Sequence, residues 1–193
     1  KFKIGTIICG LGVGEHFEYW GFDKDRIIER DWNEEIPLDP GFTAFTTPAR
    51  HFAGRGFARN KALWTSFVFK TPTHNFYFGG DSGYDSHFAE IGKNHGPFDL
   101  AFLENGQYDK SWKYIHMQPE EMLQAAKDLG VKNLFSVHSA KFPLANHPWD
   151  EPLKRISALT SDTDIRLVTP IIGEFVFLKD STQQFTNWWE GIE

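Results

Sequence analysis

The stretch Asn75-Phe76-Tyr77-Phe78-Gly79-Gly80-Asp81-Ser82-Gly83-Tyr84 decides how the chain is read. Three β-favouring aromatics in a row predict a buried strand. Two glycines then stop it and let the backbone turn tightly and come close to a ligand. Asp81 follows at once. A carboxylate at the end of a buried strand is aimed by a rigid element, which suits metal or catalytic chemistry. The same residues also fit a plain turn in which Asp81 bonds its own backbone.

Two histidines hold comparable places. Phe42-Thr43-Ala44-Phe45-Thr46-Thr47 alternates as a half-buried strand does, and Pro48-Ala49-Arg50 leads from it to His51. Asn133 to Val137 predicts a strand that ends in His138. If these strands share a sheet and point the same way, His51, Asp81 and His138 gather at one edge. Imidazole and carboxylate together suit zinc or a similar divalent ion. A carboxylate can also bridge two metals, which one imidazole nitrogen cannot. Each histidine alone reads as structural; three such positions in one setting read as a site.

His116 lies just before a predicted helix, Pro119 to Leu129, whose N-terminal partial positive charge favours anions. It could hold a phosphate or protonate a leaving oxygen, or it could cap and pack. His147, within Leu144-Ala145-Asn146-His147-Pro148-Trp149, reads as loop surface or pocket rim. His16, His74, His87 and His95 read as solvent-facing.

Around these positions the chain resolves into short elements. Residues 4–9, 26–32, 63–70, 98–103, 165–168 and 174–178 predict strands, and 15–19, 86–94 and 152–159 predict helices. Pro37, Pro40 and Gly41 punctuate a turn, and Gly54-Arg55-Gly56 a loop. Residues 26–80 read as an antiparallel meander. Strands then alternate with helices, which predicts an α/β layered domain. The tail from Ser181 to Glu193 has no clear element.

Composition sets the bounds. The 193 residues, 40% hydrophobic and 16% aromatic, suit a single domain with a full core, residues 1–193. A formal net charge of −6 without a cluster of Lys and Arg argues against nucleic-acid binding. The single Cys9 excludes an internal disulfide or a cysteine-built zinc site and fits a reducing, cytoplasmic setting. No apolar run approaches the length of a transmembrane segment, and no signal peptide is visible. The chain opens Lys1-Phe2-Lys3-Ile4 inside an apolar strand pattern, which suggests that residues precede it.

Three segments carry a resemblance: Thr47-Pro48-Ala49-Arg50-His51-Phe52-Ala53-Gly54-Arg55, Asn60-Lys61-Ala62-Leu63-Trp64, and Phe78-Gly79-Gly80-Asp81-Ser82-Gly83-Tyr84. Together with Gly96-Pro97-Phe98-Asp99, the His116–Glu121 segment and the run from Val137 to His147, they resemble the metallo-β-lactamase superfamily. Within it the likeness is to the branch of N-acyl phosphatidylethanolamine phospholipase D. It covers roughly residues 26–160 in order. The resemblance implies an αββα sandwich with a binuclear zinc site at one edge of its two sheets. It implies metal ligation by His51, Asp81 and His138, with Asp81 bridging and counted as catalytic. It implies His116 near the substrate phosphate, also catalytic, and substrate contacts from His116, Tyr84 and His147. The expected activity is a zinc-dependent phosphodiesterase; a lactonase or other ester hydrolase is the close variant.

The family's His-x-His-x-Asp-His motif is absent, because no two of the eight histidines are spaced by two. The resemblance therefore aligns this chain with the C-terminal half of a larger domain, whose N-terminal half would be its partner. A catalytically incomplete structural or interaction domain is the competing reading. An assembly of identical chains is a further partner the sequence allows. A phospholipid-like substrate would bring the protein to a membrane surface, through Trp112, Trp149, Trp188 and Trp189 if these do not pack in the core.

Overall fold

The computed structural model describes residues 5–54, 59–142 and 144–192. Ile4 at the start of the first predicted strand, Arg55 and Gly56 of the predicted Gly54-Arg55-Gly56 loop, Pro143 and Glu193 lie outside them. Two sheets form. β1 (Ile7–Gly10) and β2 (Ile27–Arg30) pair in parallel as a small sheet, joined through α1 (Gly14–Tyr19). The large sheet runs β3 (Glu35–Asp39), β4 (Phe42–Pro48), β5 (Thr65–Lys70), β6 (Asn75–Phe78), β7 (Leu100–Glu104), β8 (Asn133–Val137) and β9 (Arg166–Val168), each strand beside the next.

The pairing changes sense at β6. β3 to β6 are antiparallel neighbours, whereas β7, β8 and β9 run parallel to β6. Parallel neighbours need crossovers. Those are α2 (His87–His95), α3 (Pro119–Leu129) and α4 (Glu151–Thr160), with α3 touching both of the others. The predicted meander thus begins at Glu35 rather than at residue 26, because β2 is claimed by β1. Pro37 lies within β3 and not in the turn. This is an edge strand, where a residue without an N–H is tolerated, and the ladder shifts register between Pro37 and Asp39.

α3 shows why the helices lie where they do. Pro119 opens it, Glu120 and Glu121 complement its N-terminal dipole, and Gln118 and Glu121 form a reciprocal capping box. Gly130, at φ 68°, ends it. Met122, Ala125, Ala126 and Leu129 form its buried stripe. They pack on Val68, Tyr77, Ala101, Leu103 and Leu134 of the sheet, with Phe88 and Ile91 of α2 and Ile156 of α4. Each of the larger side chains contributes about 1.5–3 kcal/mol by burial.

Strand alternation sends the other residues to the opposite face. Phe67, Phe78, Phe102 and Phe135 stand side by side in register on β5 to β8. Phe78 and Phe102 stack at 4.8 Å, and Phe102 meets Phe135 at 5.3 Å. This face stays open enough that Phe78 is 41% exposed.

The predicted strand at 174–178 does not form. Its carbonyls and amides are taken by side chains instead: Gln183 Nε2 donates to the Phe175 carbonyl, and the Phe177 amide donates to Gln183 Oε1. Trp189 is buried in the core, at 1% exposure.

Candidate metal centre

The topology answers the condition set by the sequence. β4 is antiparallel to β5, and β5 to β6, so β4 and β6 point the same way. β7 and β8 share that direction. The C-terminal ends of β4, β6, β7 and β8 therefore meet one edge of the sheet. His51 follows β4, Asp81 follows β6, Glu104 ends β7 and His138 follows β8.

Side chains converge there. Asp81 Oδ1 is 3.2 Å from His138 Nδ1. The His116 ring stands between two others, 5.2 Å from His51 and 5.5 Å from His138 by ring centroids. Glu104 reaches His116 Nδ1 at 3.3 Å and His138 Nδ1 at 3.7 Å. Ligand atoms of Glu104, His116 and His138 all lie within 4.8 Å of one another. The Glu104 carboxylate beside it, with the Asp81 charge, holds the His138 imidazolium above its ordinary range despite the opposing effect of burial.

The backbone around the cluster is tightly constrained. His138 has φ 63°, the left-handed region that a residue with a Cβ rarely adopts. Gly106 passes so close that a Cβ there would collide with the His138 carbonyl. Gly83 likewise lies against the Tyr114 carbonyl, bringing the Asp81 loop to the segment that carries His116. The Arg50 guanidinium ties the loop after β4 to the Asp81 loop, donating to the Tyr84 carbonyl and pairing with Asp85 at 2.8 Å.

The donor set fits a divalent ion that prefers nitrogen and oxygen. His51 Nδ1 lies 2.9 Å from the Phe52 carbonyl, and its buried Nε2 has no protein partner. A ring held through one nitrogen, with the other left as an acceptor, is the usual state of a ligating histidine. Cys9 is not a competitor: it is buried in β1, and burial, with Glu29 nearby, pushes its thiol up to about 11.

The other two expected substrate residues, Tyr84 and His147, have protein neighbours of their own. Tyr84 donates its hydroxyl to Asp128 Oδ2 of α3 at 2.6 Å and stacks on Phe88. His147 stacks on Tyr108 at 4.3 Å, and Tyr108 in turn donates to Glu151. His87 is buried, not solvent-facing, beside Ser82 and Phe88; burial pushes its pKa down to about 4. His74 and His95 are half-buried, stacked on Phe76 and set beside Phe45 respectively. His16, read as surface, lines a cavity of about 320 Å³ with His51, Asp81, Phe52, Lys61 and Trp64.

Glu104 is the residue that sequence reasoning missed. The signal was present: Leu100-Ala101-Phe102-Leu103-Glu104 is an apolar strand closed by an acid, as the strand before Asp81 is.

A mixed sheet with helices on one face thus collects imidazole and carboxylate donors on one edge, an arrangement suited to a bound metal. The chain belongs to the beta-lactamase superfamily domain family, which matches residues 2–139. An uncharacterized protein of Mycobacterium tuberculosis is 44% identical over 184 residues, covering 93% of this chain and 48% of that protein. The mitochondrial N-acyl-phosphatidylethanolamine-hydrolyzing phospholipase D of Saccharomyces cerevisiae is 33% identical over 147 residues, 70% of this chain and 31% of the relative. Igni18, a metallo hydrolase from Ignicoccus hospitalis, shares the fold with a TM-score of 0.67 at 21% identity, over 89% of this chain and 69% of that chain. The chain spans about half the length of the mycobacterial relatives it matches. No helix among the described residues is long and apolar enough to cross a membrane.

Proposed function

We propose that the protein carrying this chain is a zinc-dependent hydrolase of phosphodiesters, of the N-acyl phosphatidylethanolamine phospholipase D-like type. The observation that carries this reading is the convergence of His51, Asp81, His116 and His138 at one sheet edge, on four separate segments. In this reading His51, Asp81 and His138 hold zinc. Bound there, the metal supplies Lewis-acid polarisation of the phosphoryl oxygen and a water that ionises near neutral pH. His116 orients the phosphate from between the other two rings. The cavity beside His51 and Asp81, with Phe52, Leu63 and Trp64 in its walls, suits an apolar part of the substrate next to an anionic centre.

The chain then forms the C-terminal portion of a metallo-β-lactamase-like domain. Support comes from the absence of His-x-His-x-Asp-His in its 193 residues and from the open row of Phe67, Phe78, Phe102 and Phe135. A second sheet laid on that row would bury it, as in any two-sheet sandwich. The missing motif also favours a second reading, in which this chain alone is catalytically silent.

Elemental analysis of the protein, with and without Asp81→Ala, tests the proposal beside hydrolysis of bis(p-nitrophenyl) phosphate. Bound zinc, and turnover abolished by the substitution, is the expected result. A protein that holds no metal and is indifferent to Asp81→Ala would replace the hydrolase by an interaction domain.

A further inference from the structure

Glu104 is fully buried, at 0% exposure. A carboxylate taken out of water needs compensation for both oxygens. Oε1 accepts the Met117 amide at 2.6 Å. Oε2 accepts no hydrogen bond of good geometry, and among the described residues its ion-pair neighbours are two imidazoles, His116 and His138. The carboxylate thus holds the backbone of one segment through the Met117 amide and stands 3.3 Å from the adjacent His116 Nδ1, a buried nitrogen that makes no hydrogen bond of good geometry. It also stands beside Val137 in the β7–β8 register, one residue before His138. Glu104 is not among the expected ligands His51, Asp81 and His138, although its Oε2 lies 3.7 Å from His138 Nδ1.

We propose that Glu104 is a positioning residue for His116. It receives the proton on His116 Nδ1 and leaves Nε2, on the far side of the ring, free to accept. A single carboxylate then fixes the tautomer and the ring plane together, which a neutral amide at the same place cannot do with equal strength. The strand end, not the loop before α3, becomes the part that aims His116. This inference rests on the reading that His116 meets the substrate, but the tautomer it specifies can be read without any substrate.

The first measurement uses the unmutated, zinc-loaded protein with ¹⁵N-labelled histidine. The His116 ring is expected to carry its proton on Nδ1. A ring protonated on Nε2 alone would overturn the proposal, whatever the protein hydrolyses. The second uses Glu104→Gln, which keeps the shape and an oxygen for the Met117 amide. Zinc content is expected to stay at the unmutated level, the His116 ring signals to shift or broaden, and kcat on bis(p-nitrophenyl) phosphate to fall about 10–100-fold with KM little changed. Loss of zinc equal to that of His138→Ala would make Glu104 a ligand and overturn the positioning role. Unshifted ring signals in a folded Glu104→Gln protein would overturn it as well.

Discussion

Ser82 Oγ accepts a hydrogen bond from the Arg50 amide at 2.9 Å, and this bond joins the loop after β4 to the loop after β6. The Gly83 amide returns a bond to the Arg50 carbonyl at 2.8 Å. His51 and Asp81 are the immediate neighbours of these residues. Their separation is therefore set by main chain and one small hydroxyl, before any metal arrives. Ser82→Ala removes the acceptor and leaves an amide unpaired. It is expected to lower stability by about 1–3 kcal/mol and to weaken zinc binding. Urea unfolding and a zinc titration measure the two effects; unchanged values in both would show that the clamp does not hold the site.

Gly106→Ala places a methyl group against the His138 carbonyl. Neither backbone can retreat without moving the imidazole. Overpacking of this kind costs about 1–3 kcal/mol. The thermal midpoint should fall and zinc affinity should fall with it. A variant with ordinary affinity would mean that the β7 loop relaxes independently of His138.

Tyr84→Phe separates a structural from a substrate role. The hydroxyl is engaged with Asp128, and that bond raises the phenol to about 12. Its removal should cost about 1–3 kcal/mol, toward the low end because the pair is partly exposed. KM for a phosphodiester should not change. A raised KM at unchanged stability would return Tyr84 to the substrate.

His87 gives the protein a pH dependence of known sign. Burial lowers its folded pKa from 6.5 to about 4, so between these values the unfolded chain binds a proton that the folded chain refuses. The contribution is complete above pH 6.5, is lost as pH falls through the window, and levels off below pH 4. The local slope approaches about 1.4 kcal/mol per pH unit. Guanidinium unfolding of the unmutated protein and His87→Gln at pH 7, 5.5 and 4.5 should show stability falling less steeply in the variant. Parallel curves would place the proton elsewhere.

What could be read from the sequence followed from local pattern. α3 announced itself by apolar spacing between Pro119 and Gly130, and the structure returns the same bounds. The shared direction of β4, β6 and β8 was legible only as a condition, because strand order is decided by contacts far apart in sequence. Residues 174–178 alternate like a strand, yet a strand needs a neighbour with free edge groups, and Gln183 supplies the bonds instead. His87 was misread for a simpler reason. It lies four residues before Ile91, on the same stripe of α2 as the core, and that spacing was available. Glu104 escaped because an acid after four apolar residues looks like the return to solvent, whereas here it turns inward to two imidazoles.

The left-handed backbone at His138 has an evolutionary consequence. Glycine or asparagine would occupy that conformation with less strain than histidine, so a search for stability alone would discard the imidazole. A stabilised variant that keeps every core contact could thus lose its chemistry at a single codon. Conversely, a distant homologue that carries glycine at this position would retain the fold without an imidazole at this edge of the sheet.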